Sequence, residues 1–256
     1  MIAYAYGNIK EKEKEKFIYR IIPYNGFIQI LKTNRFAFLN PNKWDDPYEA
    51  ILLRQKFKTN DDKMVSFEKI ISHIYGSCWT FNYNTDFSWR VYAPKKDGVQ
   101  IKIKIAKLYE NYDYLKQNRD LVSFQIGKVK YLKFRKLREH YSGERKLNLL
   151  NFYTSGDLFV KRYNYRHEKE VRLLLNTKSI SKTGVYSLPF DFNKLIESIM
   201  LDPRLNSWEI KNMKREIHER GFNKRIYRSS LYTPPKFDLK FTNINFEKNL
   251  NSSSEN

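Results

Sequence analysis

The amino-acid sequence predicts an α+β fold: a single domain with a mixed, mostly antiparallel central sheet and flanking helices. Three observations carry that expectation. Apolar and polar residues alternate at a period of two in separated stretches, clearest at 17–22, 99–105 and 171–175. Other stretches repeat at helical spacing, as at 27–31 and 208–222. Strands and helices do not alternate regularly enough for a parallel βαβ fold.

Taken in order, the run KEKEKEK (10–16) reads as a solvated charge run, and residues 1–16 as a charged N-terminal arm. FIYRII (17–22) is a strand with Tyr19 and Ile21 on one face and Arg20 on the other. Residues 27–34 form a short amphipathic helix that Asn25 caps, and 35–41 a second extended segment. WDDPYEA (44–50) is turn chemistry: Asp bonds back to its own backbone and Pro fixes φ, with Trp44 as a core plug. After a polar linker, Met64, Val65, Phe67, Ile70, Ile71 and Ile74 follow a helical pattern. SCWTF is a buried strand, FSWRVY a helical turn, and Val99, Ile101, Ile103 and Ile105 face inward from an alternating strand whose Gln100, Lys102 and Lys104 face out. A helix (106–117), a strand (124–134), a strongly basic helix (135–150) and a helical stretch (151–162) lead to YNYRHEKEVRLLL (163–175). There Glu168 and Glu170 share a face if the strand already runs, ahead of a half-buried strand carrying Val171, Leu173 and Leu175. A strand at 185–191, a short helix and strand within 192–205, an amphipathic helix closed by Gly221 and an edge strand at 224–232 complete a domain spanning 17–232. Residues 233–256 read as a flexible tail.

The composition narrows the chemistry. Forty-eight basic residues against 28 acidic ones give a net charge of +20, which favours a polyanionic partner, nucleic acid first. The abundance of Lys, Asn, Ile and Tyr is also what an AT-rich genome yields, though that explains the deficit of acids less well. One cysteine, Cys78, excludes a disulfide framework and a Cys-based zinc site. The four histidines lack metal-ligand spacing, so no metal site is expected. With nine glycines there is no phosphate-loop or dinucleotide signature. No apolar run reaches the length of a membrane span and the N-terminus lacks a signal peptide's apolar region, so a cytoplasmic protein without membrane contact is expected.

What remains is dispersed: Arg20 early, Trp89, Arg90 and Tyr92 in the middle, Glu168 and Glu170 late. That set suits cleavage of NAD at its nicotinamide bond. A cation or donor holds phosphate and ribose, an aromatic holds nicotinamide, and a carboxylate stabilises the developing oxocarbenium ion. A polar residue two positions before that carboxylate helps activate the acceptor.

The motifs IYRII (18–22), WDDPYEA (44–50), SWRVYAPKKDGVQI (88–101), EKEVRLL (168–174) and SSLY (229–232) resemble those of a large, uncharacterised bacterial domain family. More remotely, the order of an early strand with its helix, a central aromatic segment and a late glutamate strand is similar to ADP-ribosyltransferases, the toxins that modify nucleic acid above all. This resemblance implies an ADP-ribosyltransferase-like fold and an NAD-consuming toxin or phage-defence effector acting on nucleic acid, with an antitoxin or defence-system partner protein. It places Glu170 at the catalytic position with Glu168 completing the pair, and Arg20, beside Tyr19, at the NAD-binding position. Trp89, Arg90 and Tyr92 fall on the nicotinamide side. The family's Ser-Thr-Ser strand is missing, with SCWT (77–80) a loose substitute.

Two other readings stay open. Residues 128–146 interleave aromatics with cations, as a non-catalytic nucleic-acid-binding module would. Asp45, Asp46, Glu49, Glu168 and Glu170 supply enough carboxylates for a metal-dependent nuclease, although no nuclease motif accompanies them.

Overall fold

In the computed structural model, residues 3–6, 8–49, 56–58, 62, 64–66, 68–110, 115, 117–141 and 156–238 are described. The strands are β1 (Ala3–Tyr6), β2 (Phe17–Pro23), β3 (Arg35–Leu39), β4 (Lys56–Lys58), β5 (Met64–Ser66), β6 (Ile74–Thr80) and β7 (Gly98–Lys104). They continue with β8 (Leu121–Lys128), β9 (Lys130–Leu132), β10 (Val160–Arg162), β11 (Glu170–Thr177), β12 (Val185–Pro189), β13 (Ile196–Leu201) and β14 (Arg225–Arg228). The helices are α1 (Tyr24–Thr33), α2 (Glu68–Ile71), α3 (Asp86–Tyr92), α4 (Ile105–Glu110), α5 (Phe134–Tyr141), α6 (Phe192–Leu195) and α7 (Ser207–Glu219).

Ten strands form one sheet, in the order β1-β8-β11-β6-β2-β7-β13-β14, with β3 and β12 attached through β6. Only the outermost pairs, β1 with β8 and β13 with β14, are parallel. The expected α+β class with a mostly antiparallel central sheet is therefore what the chain adopts. The main core gathers Ile18, Phe27, Leu31, Trp79, Ile101, Leu173, Ile199, Ile217 and Phe222. A second cluster (Ile71, Ile74, Leu158, Phe159, Leu174) covers the other face of β11, and a third joins Ile21, Trp89, Ala93 and Met200.

Several elements differ from the sequence expectation. β11 is buried along its whole length, not on one face, because the second cluster covers the side that carries Arg172 and Leu174. Residues 64–66 pair with 56–58 as a hairpin and the helix is confined to α2, while residues 160–162 are a strand rather than helical. Gln100 is buried. Asn25 lies inside the first turn of α1, whose N-cap is Pro23, and no side chain caps it. The charge run at 10–16 is docked in part: Glu13 is buried, its Oε2 accepting from Lys128 Nζ at 2.7 Å and from the Lys10 amide at 3.0 Å. Gly221, at φ +83°, closes α7 as expected, and β14 ends the sheet. Residues 111–114, 116, 142–155 and 239–256, which hold parts of the expected helices and of the tail, lie outside the described residues. Among the described residues no helix is long and apolar enough to cross a membrane.

Candidate active site

The site begins where the sheet forks. β6 pairs with β11 from Ile74 to Thr80 along one edge. Along its other edge it meets β2 only at Thr80, opposite Tyr19, and β3 only at Gly76, opposite Leu39. β2 and β3 therefore part, and Ser77, Cys78 and Trp79 lie in the crotch. Arg20 is the first residue of β2 past the shared position. Its Nη1 donates to Ser77 Oγ at 2.6 Å, and Trp79 Nε1 donates to the same oxygen at 3.0 Å. Burial pulls the Arg20 guanidinium below its ordinary pKa, and no described carboxylate pairs with it. A cation so placed is short of counter-charge and favours an incoming anion.

The late glutamates converge by an unexpected route. Glu168 is not in the strand: it ends a 3-10 turn spanning Tyr163–Glu168, and Lys169, at φ +43°, reverses the chain before β11 starts at Glu170. Both carboxylates nonetheless meet Lys161 of β10, at 2.8 Å for Glu168 and 3.5 Å for Glu170. The third partner of Lys161 is Glu49, at 3.0 Å, from the WDDPYEA loop. Arg172, fully buried, grips Glu170 with Nε at 2.7 Å and Nη2 at 3.1 Å, reaches Glu49 at 3.0 Å and donates to the Leu158 carbonyl at 2.6 Å. Its guanidinium stacks over Trp44, whose ring fits against Gly76: a Cβ there would stand 2.5 Å from Trp44 Cζ2. Arg162 binds Asp46 at 3.0 Å and extends the attachment of the loop.

Three carboxylates thus face two cations, leaving one negative charge in surplus. Burial works to raise Glu170, but the ion pair and hydrogen bonds with Arg172 hold it below the usual carboxylate range. Burial wins at Glu168, which is raised in spite of Lys161. Tyr92, at the end of α3, is pushed up to about 12 by desolvation and then by the Glu168 carboxylate. Cys78 is exposed, yet desolvation and the Glu170 carboxylate push its thiol well up. The thiol lies within electrostatic range of both Arg20 and the Glu170 carboxylate. Arg20, whose charge interacts with Cys78 and Tyr92, stands on one side, and the acid cluster on the other.

Arg20, Tyr92, Glu168 and Glu170 are thus brought into one neighbourhood. The other sequence-selected residues sit differently. Trp89 has no exposed surface; its Nε1 donates to Asn84 at 2.9 Å and its ring wedges against Gly98. Arg90 lies on the outer side of α3, paired with Asp86 at 2.8 Å and Tyr232 at 3.1 Å. Tyr19 faces Tyr83, ring centres 5.2 Å apart. Sequence reasoning placed Lys161 only as approaching the glutamate strand, took Glu49 as part of a turn or as a metal carboxylate, and saw Arg172 as a nearby cation, without joining the three. The one available signal was an acid, Glu49, directly after a turn that already had its own capping acids.

Residues 88–173 match a family described as "Protein of unknown function (DUF2971)". The match runs from the SWRVYA motif through EKEVRL (168–173), in line with the expected resemblance to an uncharacterised family. No curated protein matches. The structure is similar to that of Thermus sp. 2.9 DarT in complex with ADP-ribosylated ssDNA, at 11% identity and a TM-score of 0.41, covering 84% of this chain and 95% of that one. It is also similar to the same protein in complex with carba-NAD+ and with NAD+, at 11% identity, 84% of this chain, 96% of that chain and TM-scores of 0.39 and 0.37.

Proposed function

We propose that this chain consumes NAD, breaking the bond between nicotinamide and ribose C1′ and passing ADP-ribose to a nucleic-acid acceptor. The observation that carries the reading is the juxtaposition across the fork of Arg20, which has no carboxylate partner among the described residues, and a carboxylate cluster in which three acids face two cations. Arg20 takes the pyrophosphate. Tyr92, beside both, packs on the nicotinamide ribose. Glu170, ionised by its Arg172 contact, faces the oxocarbenium ion that forms as the bonding pair leaves with nicotinamide. Glu168 receives the proton of the acceptor group that bonds to C1′. The products are nicotinamide, one proton and the ADP-ribosylated acceptor.

The acceptor side is supported by the rim. Phe87 and Tyr83 are exposed, Phe87 packs on His167 at 4.8 Å, and Arg166 and Lys133 stack on the half-exposed Tyr163 at 4.4 and 5.5 Å. Aromatics interleaved with cations suit unpaired bases. The same rim favours the second reading, a binding module without catalysis. A nuclease is less well supported, because Glu49, Glu168 and Glu170 are already engaged by Lys161 and Arg172, and no metal-holding group of His, Cys, Asp or Glu occurs among the described residues. The proposal extends to a role as a toxin or phage-defence effector in the cytoplasm, with an antitoxin or defence-system protein as partner.

The test is incubation with labelled NAD and separate pools of single-stranded DNA, RNA and cell protein, with Glu170→Gln as control. Label on a nucleic-acid pool, lost in the variant, supports the proposal. Nicotinamide release without transfer makes the chain an NAD hydrolase. Salt-sensitive binding of nucleic acid with NAD untouched favours the binding module.

A further inference from the structure

Lys161 occupies a position that nothing in the proposed chemistry requires, yet the geometry around it is specific. Its ammonium has three donors and meets three carboxylates, Glu49 at 3.0 Å, Glu168 at 2.8 Å and Glu170 at 3.5 Å, with its side chain 12% exposed. It stands on β10, which pairs only with β9 and belongs to neither branch of the fork. The three acids have unequal support. Glu49 and Glu170 are also held by Arg172, whereas the cation bonded to the Glu168 carboxylate is Lys161. The surroundings of Glu168 otherwise disfavour an anion. Glu170 lies nearby on β11 and Glu49 shares the same ammonium, while the phenols of Tyr92 on α3 and Tyr131 on β9, also within electrostatic range, are raised and so stay neutral. His167 in the same turn and Arg172 on β11 supply the remaining positive charge, with Arg172 committed to the other two acids.

We propose that Lys161 is a positioning residue that keeps Glu168 ionised and held beside Glu170. The inference rests on the proposed NAD chemistry for its consequence in turnover, but not for its physical content. Without the ammonium, Glu168 faces two like charges and little solvent, so it takes up a proton. A protonated Glu168 cannot accept the acceptor's proton. Lys161→Met is thus expected to lose turnover near neutral pH and regain it in alkali, with KM for NAD little changed, since Lys161 is not placed against the dinucleotide. Lys161→Arg, which keeps the charge, retains the wild-type profile. Glu168→Gln is inactive at every pH.

Two measurements on the full-length protein test this. The first is the pH profile of kcat for wild type, Lys161→Met and Lys161→Arg. The second is carboxyl NMR of glutamate-labelled protein, with the Glu168 resonance identified by its loss in Glu168→Gln. The expected result is a Glu168 midpoint raised by about one pH unit or more in Lys161→Met, and an acid limb of kcat displaced by the same amount. If Lys161→Met does not fold, Lys161→Met with Glu49→Gln removes one uncompensated acid and carries the same expectation. An unmoved midpoint overturns the inference, whatever happens to activity. A raised midpoint in a protein that never consumes NAD upholds it and refutes the NAD reading.

Discussion

Arg172 and Glu170 form a two-pronged ion pair between neighbours on one face of β11, at 2.7 and 3.1 Å, with the arginine wholly out of contact with water. Successive side chains alternate across a strand, so residues two apart lie side by side. The pair is local, yet it fixes the non-local WDDPYEA loop through Glu49.

Breaking it on one side only leaves buried charge behind. Arg172→Met is expected to lower unfolding free energy by about 3–5 kcal/mol, read as a lower urea midpoint. Adding Glu170→Gln to that variant recovers part of the loss. A single variant as stable as wild type would show that the ion pair is dispensable.

Arg20 should behave in the opposite way. Its guanidinium is desolvated and has no described carboxylate partner, so Arg20→Ala removes a charge the fold does not use. Stability is expected to hold or rise slightly. KM for NAD is expected to rise about tenfold to a hundredfold, the worth of a charge-assisted hydrogen bond. Denaturation and steady-state kinetics on one preparation separate the two effects.

Gly76→Ala tests the seat of Trp44. The new methyl would meet Trp44 Cζ2 at 2.5 Å and Leu174 Cδ2 at 3.1 Å, and the half-buried indole, held under the Arg172 guanidinium, must shift to admit it. Overpacking of this kind costs about 1–3 kcal/mol. Displacing Trp44 also loosens the loop that carries Glu49, so activity is expected to fall together with the melting temperature.

Glu13 predicts an acid-labile contribution to stability. The hydrogen bond from Lys128 leads in lowering its carboxyl from 4.5 to about 2. A depressed carboxyl stabilises the fold above its unfolded value, and that stability is lost as pH falls from 4.5 toward about 2. Glu13→Gln is expected to cost on the order of 1 kcal/mol at neutral pH and to flatten the melting curve's dependence on pH across that window.

Period-two and helical patterns made β2, β7, α1 and α7 legible as elements, although β2 buries Ile18 and Ile21 in two different clusters and β7 also buries Gln100. β11 carries apolar residues on both faces and two buried charges, Glu170 and Arg172, and its pattern reads as half-buried because a pattern does not show what covers the second face. Residues 64–66 spell helix and strand about equally well, and pairing with 56–58 decided the matter. Within the candidate site, Arg20, Tyr92, Glu168 and Glu170 stood out by residue type. The joint role of Lys161 and Glu49 did not, because it comes from contacts between distant segments. The left-handed Lys169 was equally invisible, since lysine gives no local hint of positive φ.

The ends of the sheet carry a consequence for the protein's behaviour at high concentration. β1 and β14 are four residues each and pair in parallel with their inner neighbours, and β14 opens and closes with arginine, Arg225 and Arg228. A ten-stranded sheet that ended in a long, flat, apolar strand would recruit further chains through its open backbone groups. Margins this short, one of them bounded by arginines, offer such recruits little register to extend.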